Sequence, residues 1–417
     1  MESLSQVFTP QLLAIQNHWE DWADGWSDGG IYHSHANNFV GCAAGSSKCA
    51  GEDFSKSLPD ELLEKIFASL PTIYIFRAGA VCRRWNAITS SRRFFSLCQQ
   101  KPLSGPWYFM YKESQNTEGL VYDPSAKKWH NFSLPLPESS AWFAASCNGL
   151  VCFADSSCGY VLYVCNLMTK TWLKIPEPHQ HWSSDYYAVS MTCDRASNVQ
   201  SAVVARSSQL PNDYSRWSFS IEACDSALQS WTTVASTILH GWRGGENSVI
   251  CNGSFYCVIH STAMVGSRNG ECRLGLLSYE LARGNLEVDT MPMPCPLTCV
   301  KLINCNERLI MVGGIGKSDV VRGIGIWELA TEWREISRMP NKFFRGFGEF
   351  DDVFSSSGAD ELIYIHAYGS PQLLLFNMQQ QTWRWSQKCP MVKKHPLHLF
   401  TGFCFEPCLN VSPWGGN

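Results

Sequence analysis

The spacing of apolar residues is helical in one stretch near the start of the chain. Between residues 57 and 98, apolar side chains recur every three or four positions, beginning with Leu62, Leu63, Ile66, Phe67 and Leu70. This spacing places them along one side of a helix, which Pro71 ends. Three further apolar sets follow, so three or four short helices are predicted. A unit this small does not bury all its apolar faces alone, and we expect another protein to cover part of it.

A longer pattern repeats through residues 105–408. Each copy is a strand-sized apolar run that ends in a turn, followed five or six residues later by Trp and, in most copies, by Pro. The Trp positions are Trp129, Trp172, Trp231, Trp333 and Trp383, and a degenerate copy has Val288 in that place. The intervals bracket the roughly 50 residues of a kelch-type propeller blade. Six copies predict six blades.

Tight-turn signals supply the other strands of each repeat. Asn-Gly stands at residues 148–149 and 252–253 before alternating apolar residues, and Asn306-Glu307 occupies the equivalent place later. Asn-Gly in this setting is a strong hairpin signal. Four short strands per repeat predict a mostly β fold, a six-bladed kelch-type β-propeller preceded by a small all-α domain. Because open sheet edges aggregate, we expect a strand near residues 399–405 to close the ring.

Residues 1–56 lack both patterns. Within them, the apolar residues of the segment 11–26 fall at steps of three and four, at Leu12, Ile15, Trp19, Trp22 and Trp26. Two interpretations stay open. The segment is either part of an irregular tail, or a short acidic amphipathic helix that docks on a partner or on the chain's own body.

Composition and charge disfavour some classes of function. Charged residues make up 17% of the 417, and 33 Lys and Arg against 37 Asp and Glu give a net charge of −4. Direct nucleic-acid binding is not expected, because such proteins normally carry a basic domain or stripe. No apolar stretch reaches the roughly 18 residues of a spanning helix, so no membrane partner is expected. The 19 cysteines are odd in number and follow no secretory signal, which favours the nucleus and/or the cytoplasm.

The helical stretch resembles a known domain. The sequences LPDELL at 58–63 and VCRRW at 81–85, with Ile-Phe, Leu-Pro and Phe-Arg pairs between them, look like an F-box over residues 57–98. The resemblance implies that the domain binds a Skp-type adaptor and, through it, a cullin. The implied adaptor-binding residues are Leu58, Pro59, Leu62, Leu63, Ile66, Phe67, Leu70, Val81, Cys82 and Trp85. The alternative is an unrelated helical cap that packs on the next domain.

The order of an F-box followed by a propeller is similar to that of plant F-box/kelch-repeat proteins. Segments such as GWRGG at 241–245 and GIGIW at 323–327 resemble the HAWAIIAN SKIRT subfamily. The resemblance implies a non-catalytic substrate-recognition subunit of a Skp–cullin–F-box E3 ubiquitin ligase, with a role in plant organ growth and development. Two alternatives stay open: a non-proteolytic F-box scaffold or binding module, and a propeller enzyme.

Motifs for catalysis or cofactors are weak. Residues 313–316 read GGIG, but the later glycine, the helix and the Lys-Ser/Thr pair of a nucleotide loop do not follow. Cys295, Cys299 and Cys305 are loosely spaced and have no His nearby, which disfavours zinc. No catalytic residue, metal or cofactor is therefore expected.

The candidate substrate-binding residues lie in the segments that lead into successive blades. Propeller loops are free of packing duty, so aromatic residues and Arg there are candidate anchors for a protein substrate. They fall at equivalent positions of the repeat and should share one face; they are Trp142, Trp182, Trp242, Arg243, Phe344 and Arg345. Packing between blades is the alternative for the Trp residues. The two Arg residues favour an acidic or phosphorylated degron.

Overall fold

The computed structural model describes residues 58–99, 105–112, 115–136, 141–155, 160–178, 183–194, 199–262, 273–283, 285–287, 291–317, 320–345, 347, 354–368, 370–391 and 400–415. The chain divides into two compact units, Met1–Pro102 and Leu103–Asn417. The tail of residues 1–56, with the helix predicted at 11–26, lies outside the described residues, as do Trp182, Val288 and Leu399.

The described part of the first unit is four short helices around a small core. They are α1 (Asp60–Ser69), α2 (Thr72–Gly79), α3 (Arg83–Thr89) and α4 (Arg92–Gln99). Pro59 and Pro71 precede α1 and α2, where a fixed φ suits a helix start and a missing N–H costs no hydrogen bond. The buried apolar side chains include Leu63, Phe67, Ile73, Phe76, Ile88 and Phe94.

The second unit contains 24 strands in its described residues, arranged as six four-stranded sheets. The strands of the first three sheets are β1 (Trp107–Lys112), β2 (Gln115–Asp123), β3 (Lys128–Ser133), β4 (Trp142–Cys147), β5 (Leu150–Asp155), β6 (Val161–Asn166), β7 (Thr171–Lys174), β8 (Tyr186–Cys193), β9 (Gln200–Leu210), β10 (Asp213–Asp225) and β11 (Trp231–His240). Those of the next three are β12 (Trp242–Cys251), β13 (Ser254–Ser261), β14 (Leu274–Glu280), β15 (Asn285–Glu287), β16 (Leu297–Cys305), β17 (Arg308–Lys317), β18 (Val320–Leu329), β19 (Trp333–Arg338), β20 (Phe354–Ala359), β21 (Leu362–Ala367), β22 (Leu374–Asn377) and β23 (Thr382–Trp385). The last strand, β24 (Phe400–Phe405), belongs to the first sheet, and a one-turn helix, α5 (Asn341–Phe344), precedes β20.

Each sheet is one blade of a six-bladed propeller, which confirms the predicted fold class. Blades 2 to 6 are consecutive antiparallel sets of four strands, from β4–β7 to β20–β23. Blade 1 has the order β24-β1-β2-β3, so the last strand of the chain lies beside the first. Trp107 pairs with Phe405 and Lys112 pairs with Phe400 in this antiparallel ladder. Joining the two ends of the propeller in one sheet closes the ring.

In four blades, an Asp or Asn of the repeat builds the turn between the two outer strands. Asp123 accepts hydrogen bonds at Oδ1 from the backbone N–H groups of Ser125 (2.8 Å) and Ala126 (3.1 Å). The equivalent acceptors in other blades are Asn166, Asp225 and Asn377. Four positions after each acceptor, φ is positive at Lys127, Lys170, Gln229 and Gln381. Short polar side chains stabilise such turns because they replace a backbone acceptor locally.

In several blades, the Trp that stands two positions after this positive-φ residue binds the neighbouring blade. Three indole N–H groups donate to the outer part of the preceding blade: Trp129 to the carbonyl of Gln387 (2.8 Å), Trp231 to the carbonyl of Pro176 (2.6 Å), and Trp383 to the hydroxyl of Ser337 (3.0 Å). In these three blades, the Trp of the sequence repeat therefore marks a contact between neighbouring blades.

The apolar core is divided among the spaces between neighbouring blades. One cluster joins blades 5 and 6 around Ile326 and Phe376, and another joins blades 3 and 4 around Phe219 and Phe255. Blades 1 and 2 meet through aromatic rings, with Phe143 stacked on Phe403 at 4.2 Å between centroids. None of the helices in the described residues is long and apolar enough to cross a membrane.

The segment after β24 forms a clasp between blades 2 and 3, which the sequence pattern did not predict. Trp414 is 3% exposed and packs in the cluster of these two blades. Gln200 of β9 donates to the carbonyl of Ser412 (2.7 Å) and accepts from the backbone N–H of Trp414 (2.5 Å). Asn166 donates to the carbonyl of Val411 (2.7 Å). We refer to residues 408–414 as the C-terminal clasp.

Candidate protein-binding surfaces

Helix α1 of the first unit is apolar on two sides. Leu63 and Phe67 are each 3% exposed and fill the core. Leu62 and Ile66, one position earlier in each pair, are 46% and 45% exposed. Side chains four positions apart lie on the same face of a helix, so Leu62 and Ile66 form an exposed apolar stripe. A stripe of this kind on a small domain marks a surface for another protein.

The predicted adaptor-binding residues divide by exposure. Pro59, Leu62, Ile66, Val81 and Cys82 are exposed, and Leu58, Leu70 and Trp85 are half-buried. Leu63 and Phe67 are buried, so in this conformation they support α1 from inside and do not reach its surface. Tyr74 of α2, which the sequence reasoning missed, is 45% exposed.

Arg84 holds the Leu-Pro turn in place. Its guanidinium donates to the carbonyl of Leu58 (2.5 Å) and to Oδ1 of Asp60 (2.9 Å). The next residue, Trp85, packs its ring on Phe67 at 4.7 Å between centroids. The segment VCRRW at 81–85 thus fixes the start of α1 from the side, and Arg84 is a positioning residue that the sequence reasoning did not assign.

The propeller has two ends that differ in their loops. We call the end at which the innermost strand of each blade begins the upper face, and the opposite end the lower face. Trp142 and Trp242 begin β4 and β12, and Arg345 directly follows α5, which leads into β20. The topology therefore brings these candidate substrate-binding residues to the upper face, while Trp182 lies outside the described residues.

The individual candidates differ in what they contact. Trp142 is 40% exposed and meets the ring of Tyr160 edge-on at 6.4 Å. Trp242 is partly buried and packs against the cluster between blades 3 and 4, and Phe344 is partly buried and packs against the cluster between blades 5 and 6. Arg345 is exposed, and the described residues show no ring or carboxylate that holds its side chain.

Arg243 has a different setting. Its guanidinium carbon lies 4.0 Å from the centroid of the Tyr186 ring, and its Nη1 donates to the carbonyl of Gly244 (3.1 Å). His260, its partner across the β12–β13 ladder, is partly buried, and burial first and the Arg243 charge second lower the pKa of its imidazole to about 4. His260 is therefore neutral at pH 7, and the positive charge at this position belongs to Arg243 alone.

Beyond Tyr186, on the other side of strand β8, further aromatic rings lie at the junction of blades 2 and 3. The following residue, Tyr187, stacks on Tyr160 at 4.1 Å with an interplanar angle of 15°, and Tyr160 leads to Trp142. Tyr186 also packs on Trp217 at 5.8 Å. The upper ends of blades 2, 3 and 4 thus carry aromatic side chains together with Arg243, and these are the residue types that dominate binding hot spots.

The innermost strands surround a central channel. It holds a cavity of about 500 Å³ to which Glu246 of β12 and Lys301 of β16 contribute charged side chains. The side chain of Lys301 is exposed to the channel. Desolvation by the surrounding strands lowers the pKa of its amine, and the negative charge of Glu246 raises that pKa. Asp194, Glu307 and Asp360 follow the inner strands and line the channel towards the lower face.

The cysteine thiols buried in the blades are not activated as nucleophiles. Burial raises the pKa of the Cys152, Cys257 and Cys404 thiols to about 12, so these thiols are protonated and unreactive at neutral pH. Within the described ranges, no group of three or more His, Cys, Asp or Glu side chains is placed to hold a metal ion. Gly313 and Gly314 lie inside strand β17, where a Cβ on Gly314 would come within 2.9 Å of Cys299 Sγ.

Comparison with known proteins supports both units. The family model described as F-box domain matches residues 56–97, and the model described as KIB1-4 beta-propeller matches residues 121–387. The chain is 49% identical to F-box/kelch-repeat protein At3g61590 of Arabidopsis thaliana over 369 residues, which cover 85% of this chain and 90% of that protein. It is 30% identical to F-box only protein 6 of the same plant, over 85% of this chain and 74% of that protein. It is 23% identical to SKP1-interacting partner 15, also of Arabidopsis thaliana, over 85% and 98% of the two chains.

These matches, with an F-box of four helices and a closed six-bladed ring, define an F-box protein with a propeller as its second domain. The chain belongs to the plant F-box/kelch-repeat family. Membership of the HAWAIIAN SKIRT subfamily stays a prediction.

Proposed function

We propose that the chain is the substrate-recognition subunit of a Skp–cullin–F-box E3 ubiquitin ligase. The observation that carries the proposal is the second apolar side of α1, where Leu62 and Ile66 are exposed although Leu63 and Phe67 already fill the core. A surface helix that contacts only its own core and water normally has one apolar stripe, on the side that faces the core. The relative named SKP1-interacting partner 15 supports a Skp-type adaptor as the protein that covers the other one.

The exposure of each side chain shows which of the predicted residues could contact the adaptor directly. Leu62, Ile66 and Val81 would contact the adaptor directly, with exposed Tyr74 added to them. Leu63 and Phe67 act from inside by keeping α1 in place. Arg84 orients the Leu58-Pro59 turn through its two hydrogen bonds.

The division of work between the units follows from this assignment. The F-box joins the chain to the adaptor and through it to a cullin. The propeller holds a protein substrate near the ubiquitin-loaded E2 enzyme. Holding two reactants together is itself a source of rate enhancement, so the chain needs no catalytic residue of its own. We extend the proposal, on the family resemblance, to plant organ growth and development and to the nucleus and/or cytoplasm.

A co-purification experiment tests adaptor binding. The full chain is expressed in plant cells as wild type, Leu62→Asp/Ile66→Asp and Lys65→Ala, and the retained proteins are identified by mass spectrometry. Lys65 is an exposed polar residue of the same helix, so its substitution is the matched control. We expect the adaptor and a cullin with wild type and Lys65→Ala, and a loss of at least tenfold with the double variant. Equal retention by both variants, with unchanged circular dichroism, would contradict the proposal and favour the helical cap.

The same variants separate a ligase from a scaffold. Proteins that the double variant still retains bind the propeller without the adaptor. In a ligase, their cellular abundance rises when adaptor binding is lost, because they are no longer degraded. Unchanged abundance in the double variant would support the non-proteolytic scaffold. Fluorescent fusions and organ size in loss-of-function plants test the location and the developmental role.

A further inference from the structure

The upper face contains an arginine that is held in place but has few hydrogen-bond partners. An Arg guanidinium has five N–H donors. In the described residues, Arg243 uses one of them, towards the carbonyl of Gly244, and no carboxylate pairs with it. Two other arginines of the propeller are paired with carboxylates: Arg206 pairs with Glu222 (2.6 Å), and Arg308 pairs with Glu328 (2.7 Å). Arg243 is half-buried, so its remaining donors favour an anionic partner from outside.

The position of Arg243 is fixed by the strands around it. Tyr186, which lies under the guanidinium, is itself packed on Trp217. Gly244 brings β12 close to blade 3, where its backbone N–H donates to Ser207 Oγ (3.0 Å) and a Cβ would come within 2.7 Å of Ser207 Cβ. A stacked guanidinium loses little side-chain entropy when it binds, so the arrangement is organised in advance for a ligand.

The charged side chains around Arg243 limit the kind of anion that it can bind. Asp185, beside Tyr186, accepts a hydrogen bond from the backbone N–H of Gln209 (2.9 Å). Asp213 accepts from Ser215 and lies 4.0 Å from Arg216. Acidic side chains in this region, together with the net charge of −4, do not suit a long polyanion such as a nucleic acid. A single anionic group is the ligand that fits.

Further aromatic rings lie on the other side of strand β8, at the junction of blades 2 and 3. There Trp142, 40% exposed, meets Tyr160, which is stacked on Tyr187. Tyr214, at the tip of the β9–β10 hairpin, is 83% exposed. A peptide whose anionic residue meets Arg243 would therefore find aromatic contacts for its neighbouring side chains.

From this geometry we infer that Arg243, stacked on Tyr186, is the anchor for one carboxylate- or phosphate-bearing residue of the substrate, with the aromatic side chains of blades 2 and 3 receiving the apolar residues beside it. The inference deepens the proposed function and rests on the propeller being a receptor for protein substrates. Both anions accept paired hydrogen bonds from the same guanidinium edge. Arg345 is not part of this anchor, since the described residues show nothing that holds it.

Oriented peptide libraries test the inference on the full chain bound to its adaptor. Three libraries with randomised flanks carry a fixed Asp-Glu pair, a fixed phosphoserine, or a fixed Asn-Gln pair at the centre. We expect wild type to retain one of the two anionic libraries over the neutral one. Arg243→Gln should weaken binding of that library about tenfold, the effect of losing one charge-assisted pair, and Arg243→Lys should recover it only in part. The preferred anionic library identifies a carboxylate or a phosphate as the source.

The control is Arg322→Gln, because Arg322 is an exposed Arg near the start of the third strand of blade 5, also at the upper face. It should bind like wild type, and all variants should keep the melting temperature of wild type and co-purify with the adaptor. No preference for an anionic library, or equal binding by Arg243→Gln, would overturn the anion anchor while leaving adaptor binding intact. Loss of the adaptor from wild type would instead overturn the proposed function.

Discussion

Trp129 donates its indole N–H to the backbone carbonyl of Gln387 over 2.8 Å, although 258 residues separate them in the chain. Trp129 belongs to the outermost strand of blade 1, and Gln387 follows the outermost strand of blade 6. The bond therefore crosses the junction where the ring closes. The ring is thus closed at two places: β24 pairs with β1 near the channel, and this bond joins blades 1 and 6 at their outer strands.

Replacement of Trp129 by Phe should weaken this junction. The substitution keeps an aromatic ring but removes the N–H donor, and we expect a loss of about 1–2 kcal/mol in the free energy of unfolding. Urea unfolding of the propeller, followed by tryptophan fluorescence and circular dichroism, measures it. Trp172→Phe is the control, since Trp172 is 44% exposed and makes no such bond in the described structure. Equal losses in both variants would show that the inter-blade bond contributes nothing.

The propeller was predictable because its structural repeat is also a repeat in sequence. An Asx turn such as that of Asp123 needs a short polar side chain, and the inter-blade bond of Trp129 needs an indole N–H. The Asx acceptor recurs in four of the described blades and the indole bond in three, and together with the apolar strand runs they make the repeat visible in the sequence. The turns at Asn148 and Asn252 were also predictable, because a φ of 49° favours Asn over most other residues.

Contacts that occur once in the molecule were not predictable in the same way. The clasp residue Trp414 meets Gln200 more than two hundred positions earlier, and no periodicity connects them. Arg243 could be singled out as an exposed-loop Arg, but its partner Tyr186 is specified only by the packing of β12 across blade 3. In the F-box, helical spacing does not distinguish buried Leu63 from exposed Leu62, because both are leucine and adjacent.

Shortening the chain from its end should show two separate effects. A chain ending at Pro407 loses the clasp, including the contacts of Trp414 and Ser412 with Gln200, and we expect a soluble protein with a lower melting temperature. A chain ending at Lys394 also loses β24, which exposes the edge of β1, and we expect it to be insoluble. A chain ending at Gly415 is the control. Soluble, folded protein from the Lys394 truncation would contradict closure by β24.

His366 should make stability depend on pH. It is fully buried in β21, its Nε2 lies 3.2 Å from the carbonyl of Ser370, and burial lowers the pKa of its imidazole to about 4. The unfolded chain binds this proton near pH 6.5, so stability is present above that pH and falls as the pH drops towards 4.

The size of this effect can be measured by comparison with a variant that does not titrate. Between pH 7 and pH 5, we expect wild type to lose about 2 kcal/mol more of its unfolding free energy than His366→Gln. Other titrating groups, including His260, are present in both proteins and cancel in the difference. Parallel pH profiles for the two proteins would show that His366 is not held neutral in the folded state.

Two glycines in equivalent turns should differ in how they tolerate alanine. Gly149 and Gly253 both follow Asn in the turn after an innermost strand, with φ of 85° and 71°. A Cβ on Gly253 meets nothing within 4 Å, so Gly253→Ala should cost only the backbone strain, about 1 kcal/mol. A Cβ on Gly149 would come within 2.1 Å of Cys408 Cβ in the clasp, so Gly149→Ala should lower the melting temperature further. In the chain ending at Pro407, Cys408 is absent and the two substitutions should cost the same. A difference that persists there would mean that the clasp is not what makes residue 149 sensitive.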